Sequence, residues 1–180
     1  MQARSLGGRA GPATLTVLDN GHAIEFTFEA LMRYHGPGSP GGVAHAFRVL
    51  ERGLPLLDPA EPPERREITV TTAFGGPGAR DAFECVTRAV TENRYAVDPS
   101  LARSELASTR SRFVFRLDYR SRVATLTLRD GFVTHEFLDL AGRETRTPQQ
   151  EGRLTQLKQE MATRVMSAAA SDVYDATLEA

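Results

Sequence analysis

Residues 112–130, RFVFRLDYRSRVATLTLRD, read as two β-strands that meet near Arg120–Ser121. Branched and aromatic residues fill both arms, and the arms adjoin in the chain. Strands joined this closely pair antiparallel. Helical patterns lie on either side of the pair rather than alternating with it, so the fold class is α+β. The expected architecture is a mostly antiparallel sheet flanked by helices, with a long C-terminal helix. Working outward, FVTHEFLDL (132–140) is a candidate third strand, and EITVTTAF (67–74) is a strand broken by Gly75-Gly76-Pro77-Gly78. ATLTVLD and HAIEFTF, on either side of Asn20-Gly21, read as a hairpin, because Asn-Gly accepts the positive φ angles of a type I′ turn.

The helices follow from spacing and caps. EALMRY (29–34) reads as a short helix, and Val43, Ala46, Phe47, Leu50 and Leu54 recur at helical spacing over about Pro40–Leu54. PLLDPAEPPERR (55–66) holds four prolines and reads as a surface linker. After Gly78 a helix is expected to about Asn93, with Arg80, Glu84 and Arg88 on its solvent face and Ala82, Cys85, Val86 and Ala89 opposite. Thr147-Pro148-Gln149-Gln150 supplies a capping threonine, a first-turn proline and a capping-box glutamine. The helix it opens carries Leu154, Leu157, Met161 and Val165 on one stripe and runs to about Ala170. Residues 1–12 read as a flexible tail and 13–180 as one domain.

Composition excludes several classes of function. A formal net charge of −1 argues against a dedicated nucleic-acid or anionic-membrane surface. One cysteine, Cys85, leaves no intrachain disulfide. No stretch approaches the roughly 18 apolar residues of a membrane span, and the N-terminus shows no apolar signal core, so a cytoplasmic location is expected. Lys158 is the single lysine among 22 basic residues.

Two glycine-rich loops are the strongest local signals, and each precedes a helix whose free N–H groups could receive an anion. YHGPGSPGG (34–42) precedes the first of these helices, and AFGGPGARDAF (73–83) contains the second. The latter has a strand–loop–helix context but lacks the Gly-Lys-Ser/Thr ending of a phosphate loop and the full dinucleotide fingerprint. A tight turn into the helix is the plainer reading. His35 reads either as a base or ligand or as a packed structural histidine. His45 is equally open, whereas His22 and His135 read as surface or cross-strand residues. Cys85 falls on an apolar stripe, where thiols are usually inert. Ser39 has no GxSxG elbow, and Asp81 is favoured near its helix start by the dipole alone.

Set together, FEALMRYHGPGSPGG and PGARDAFE resemble the E-type subunit family of formylmethanofuran dehydrogenase, whose signature reads roughly His-Gly-His-x-Cys-Pro-Gly-x-x-x-Gly. His35, Gly36, Pro40 and Gly41 hold their places, as do Asp81, Ala82 and Thr87 further on. The two-strand unit and the ending VMSAAASDVYDATLEA follow in the family's order, so the resemblance spans roughly residues 27–178. It implies that the family's metal and thiol positions fall on Pro37, Ser39, Gly78 and Ala89, none of which is a thiolate or an imidazole. The family's zinc or related metal is therefore expected to be absent. The resemblance implies neither methanofuran chemistry nor electron transfer.

The expected function is a metal-free, non-catalytic or small-ligand-binding homologue, with His35, Gly36, Ser39, Gly41, Gly76, Gly78 and Asp81 as ligand-binding candidates. One alternative is an enzyme of altered chemistry, using His35 with Asp81 or Cys85. Another is a subunit of a larger redox complex. The cofactor is unknown, and the expected partner is a second copy of the chain. The apolar stripe from Leu154 to Val165 argues for that homodimer, and family members are dimeric too.

Overall fold

The computed structural model describes residues 12–180. From the N-terminal side the elements are β1 (Thr14–Asp19), β2 (His22–Thr27), α1 (Phe28–His35), α2 (Pro40–Leu57), β3 (Thr69–Thr72), α3 (Pro77–Thr87) and β4 (Tyr95–Val97). There follow β5 (Val114–Tyr119), β6 (Arg122–Leu128), α4 (His135–Ala141), α5 (Pro148–Met166), α6 (Ala170–Val173) and β7 (Tyr174–Glu179). The fold is α+β, as expected. β1 and β2 form a hairpin of their own, and the other five strands form a sheet in the order β4-β3-β5-β6-β7. Every pairing in that sheet is antiparallel except β3 with β4.

Alternation along β5 and β6 gives the sheet one packed face. Phe115, Leu117, Ala124, Leu126 and Leu128 are buried, while Arg116 and Asp118 turn the other way and bond each other (Nε to Oδ2, 3.0 Å). The packed face receives α2, which is buried without interruption from Pro40 to Leu50. Three glycines let α2 approach its neighbours closely. A Cβ at Gly53 would sit 2.6 Å from Leu117 Cδ1 on the sheet, one at Gly41 would sit 2.7 Å from Met161 Sδ on α5, and one at Gly42 would sit 2.9 Å from the Ala79 nitrogen on α3. Gly78 closes the last contact from the other side, since its Cβ would lie 2.3 Å from the Ser39 carbonyl oxygen.

Arginines tie the helix ends down. Buried Arg48 donates from Nη2 to the Met166 carbonyl at 2.7 Å and from Nε to that of Val165 at 3.3 Å, at the C-terminal end of α5. Arg65 donates from Nε to the Val86 carbonyl at 2.8 Å and from Nη2 to that of Cys85 at 2.6 Å, near the end of α3. Such carbonyls have no partner within their own helix and sit at the negative end of its dipole.

Several expectations need correction. FVTHEFLDL is the helix α4 with its N-cap, not a strand: the Thr134 hydroxyl accepts from the Phe137 N–H at 3.2 Å, and that cap overrides the strand-like composition. α3 stops at Thr87 rather than Asn93. Arg88 is left-handed (φ 59°), and the Glu84 carboxylate captures the Val90 and Thr91 N–H groups at 2.8 and 3.0 Å, turning the chain away. α2 continues through Pro55 to Leu57, and α5 ends at Met166. The C-terminal segment Tyr174–Glu179 pairs with β6 as β7. β4 is an element the sequence reading missed. The tail expected over residues 1–12 lies outside the described residues but for Pro12. Among the described residues no helix is long and apolar enough to cross a membrane.

The α5 stripe is spent inside the chain. Leu154, Leu157, Met161 and Val165 are all buried, the first two in a cluster with Leu140 of α4. The homodimer therefore loses the exposed surface that argued for it.

Steric contact at the glycines separates two substitutions that helix propensity alone would treat alike. Gly152→Ala on exposed α5, where a Cβ meets nothing within 4 Å, is expected to stabilise by about 0.5–1 kcal/mol. Gly78→Ala drives a Cβ into backbone and is expected to destabilise by about 1–3 kcal/mol. Urea midpoints measure both, and equal stabilisation by the two changes would contradict this packing.

Candidate functional site

Both glycine-rich loops open onto one cleft, a cavity of about 460 Å³. Its walls include Ser39, Gly41 and Gly42 at the start of α2, and Phe74, Gly75, Gly76 and Gly78 at the start of α3. Ser108, Arg112 and Phe113 come from the segment leading into β5. Phe137, Leu138, Arg146, Leu154, Lys158 and Met161 come from α4, α5 and the link between them. The volume suits a small organic ligand.

The two helices that begin here differ from α1, α4 and α5 at their N-termini. α1, α4 and α5 are each capped by a threonine hydroxyl and carry an acidic residue in the first turn. α2 and α3 begin Ser-Pro-Gly and Gly-Pro-Gly, with no side-chain cap bond and no acidic residue in the first turn. Proline brings no N–H, so the free first-turn donors of α2 are Gly41 and Gly42, since the Val43 N–H already bonds the Ser39 carbonyl at 3.3 Å.

Positive charge surrounds these ends. Lys158 Nζ donates to the Gly38 carbonyl at 3.2 Å. Arg112 is exposed and forms no ion pair among the described residues. Arg146 is already engaged, bonding Glu151 at 2.8 Å and the carbonyls of Leu140 and Arg143 at 3.1 and 2.8 Å. The lining holds no Asp, Glu, His, Cys or Tyr. Its titratable groups are guanidinium and ammonium, so the cleft can attract and hold an anion but offers no general base. Phe74 stacks on Phe113 with ring centroids 4.4 Å apart, giving the cleft a flat apolar wall. A smaller cavity near β1, of about 350 Å³, is lined among the described residues by Glu51, Asp58 and Glu61 and by no cation.

The sequence candidates divide. Ser39, Gly41, Gly76 and Gly78 line the cleft, while His35, Gly36, Asp81 and Cys85 do not. Gly36 ends α1 with φ 86°, and its N–H bonds the Met32 carbonyl at 2.7 Å; this left-handed cap is the reason for glycine there. His35 Nδ1 lies 2.8 Å from Asp81 Oδ2, joining α1 to α3. The Asp81 carboxylate accepts from Nδ1–H, and His35 Nε2 is buried without a partner among the described residues. Cys85 is half-buried, and burial pushes its thiol up despite the pull of Arg65 and Arg88, which disfavours a nucleophilic thiolate. His22 and His135 are exposed, at the ends of β2 and α4. Among the described residues no three His, Cys, Asp or Glu side chains gather as a metal ligand set.

Arg112, Lys158, Phe74, Phe113 and Phe137 were not singled out from the sequence. They come from four separate regions of the chain, around residues 74, 112–113, 137 and 158, and share no linear motif. The one signal available in the sequence is that Lys158 is the chain's single lysine. No protein-family model matches the chain, and no curated protein matches it either.

His45 proves structural. It is fully buried, its Nδ1 is 2.7 Å from Tyr174 Oη, and its ring lies 4.9 Å from that of Phe113. Donation from the tyrosine O–H to Nδ1 leaves the fewest groups unpaired. Burial holds the imidazole down to about 3, against 6.5 for a free histidine. Between those values the unfolded chain binds the proton and the native one does not. This contribution is therefore complete above pH 6.5 and is lost as pH falls toward 3. The expected slope is about 1.4 kcal/mol per pH unit in that window. In His45→Gln, the stability lost between pH 7.5 and 4.5 in urea unfolding should be smaller than in the native chain by about 2–3 kcal/mol. An identical loss would contradict the assignment.

Proposed function

We propose that this protein binds a small organic anion in the cleft between its two glycine-rich loops, and that it does so without transforming it. The reading is supported by one coincidence of features. Two uncapped helix N-termini, Arg112 and Lys158 without carboxylate partners, and a phenylalanine wall meet in one cavity whose lining, among the described residues, holds no acidic residue. An anion there would gain from the helix dipoles and from two cations, while an apolar body would cover Phe74, Phe113 and Phe137.

This reading keeps the ligand-binding half of the resemblance to the formylmethanofuran dehydrogenase family and leaves the metal aside. Two of the positions that the resemblance would assign to thiolates, Ser39 and Gly78, face each other across the loops. A Cβ at 78 would lie 3.1 Å from Ser39 Cβ and 2.3 Å from its carbonyl oxygen. A cysteine could not enter at 78 without displacing the loop. A second reading, catalysis by His35 with Asp81, draws on their 2.8 Å contact. It is the weaker one, because the nitrogen that would act as base is buried outside the cleft.

Fluorescence titration with 8-anilinonaphthalene-1-sulfonate, an aromatic monoanion, tests the proposal on the folded protein. One saturable site is expected, weakened about tenfold by Arg112→Ala or Lys158→Met and also weakened by added salt. Absence of saturable binding, or binding indifferent to both substitutions, would refute it.

A further inference from the structure

Building on the anion-binding reading, we propose that the natural ligand class is a phosphate monoester with a flat apolar body, and that Lys158 is the residue that selects the phosphoryl group. Charge points there first. Arg112 and Lys158 are full cations without carboxylate partners among the described residues, and two helix N-termini add roughly +0.5 each. Arg146 is already balanced by Glu151. Against a positive end of about +3, a carboxylate brings one negative charge, whereas a phosphate monoester brings about −1.5 to −2 at pH 7. No acidic residue in the wall offsets the excess.

The number of donors points the same way. Gly41 and Gly42 open α2 and Gly78 opens α3, with a Cβ on Gly42 only 3.3 Å from Gly78 Cα, and Lys158 Nζ bonds the Gly38 carbonyl just ahead of α2. A tetrahedral group with three terminal oxygens can meet that many donors at once; a planar carboxylate has two. Lys158 gives up a neutral carbonyl at 3.2 Å and gains a charged oxygen, which is the stronger partner.

The cleft's shape beyond the anion supplies the apolar half. The lining residues of α5 run from Leu154 to Met161, about 10 Å of helix. Phe113, Phe137 and Leu154 contribute apolar surface to the same cavity. That leaves room for one ring beside the phosphoryl group and offers the ring an aromatic face. Inorganic phosphate would leave this wall uncovered.

Displacement of bound 8-anilinonaphthalene-1-sulfonate by phenyl phosphate, benzoate and inorganic phosphate tests the proposal. Phenyl phosphate is expected to compete about tenfold better than either of the others at pH 7.5. Its advantage over benzoate should shrink to about threefold or less at pH 5, where the ester takes up its second proton (pKa about 6). Lys158→Met should remove most of the phosphate preference and Lys158→Arg should restore it, while Arg112→Ala, at an exposed position, should weaken both anions. If the dye binds but benzoate competes as well as phenyl phosphate, the phosphoryl assignment is wrong and the broader anion reading stands. If inorganic phosphate matches the ester, the apolar half is wrong. If the dye finds no saturable site, both readings fall together.

Discussion

The structure hangs on the backbone contact between the first turns of α2 and α3. Gly42 and Gly78 meet where any side chain would collide: a Cβ on Gly42 would lie 2.9 Å from the Ala79 nitrogen, and one on Gly78 would lie 2.3 Å from the Ser39 oxygen. Close packing of this kind draws two helix N-termini to a single point and rules out bulky caps on either. One local constraint thus sets the crossing of the two helices, brings the two loops to one cleft, and leaves their N–H groups uncapped. The burial of α2 follows as well. With its start pinned to α3 and Gly41 pressed on Met161, the helix can lie across the sheet with Gly53 against Leu117.

The arginines complete this arrangement from the opposite ends of the helices. Arg48 serves α5 and Arg65 serves α3, while Arg146 takes the carbonyls of Leu140 and Arg143 at the end of α4. Each meets two carbonyls and also pairs with a carboxylate: Glu51, Asp19 and Glu151 respectively. A guanidinium has donors enough for this fork, whereas an ammonium acts as a point charge. Much of the arginine bias therefore has a structural use in this chain. The isolated lysine, by contrast, stands at the cleft with a backbone carbonyl as its partner.

What could be read from the sequence was mostly local. Asn20 and Gly21 take φ angles of 50° and 80°, as an Asn-Gly hairpin requires, and the Thr147 capping box forms in full. These signals depend on neighbours a few residues apart. Local side-chain caps decided the corrections at α4 and at the end of α3, and distant partners decided elsewhere. Tyr174 to Glu179 forms a strand because β6 offers it an edge, and the α5 stripe packs on α2 and α4 within the chain. In the site, glycine spacing marked both loops, but spacing could not separate His35 and Asp81, which clamp α1 to α3, from Ser39 and Gly78, which line the cleft. Arg112 and Phe113 are distant in sequence from both loops, so their arrival at the cleft is a product of topology.

In the proposed function, the two glycine loops form one receptor for an anion through the free N–H groups of their helices. Amide chemical shifts of the isotopically labelled protein during titration with phenyl phosphate test it most directly. The amides of Gly41, Gly42 and Gly78 are predicted to move together and saturate at one common concentration, with the Lys158 side chain following the same curve. Movement confined to the region around Asp58 and Glu61, or scattered over the surface without saturation, would contradict the account.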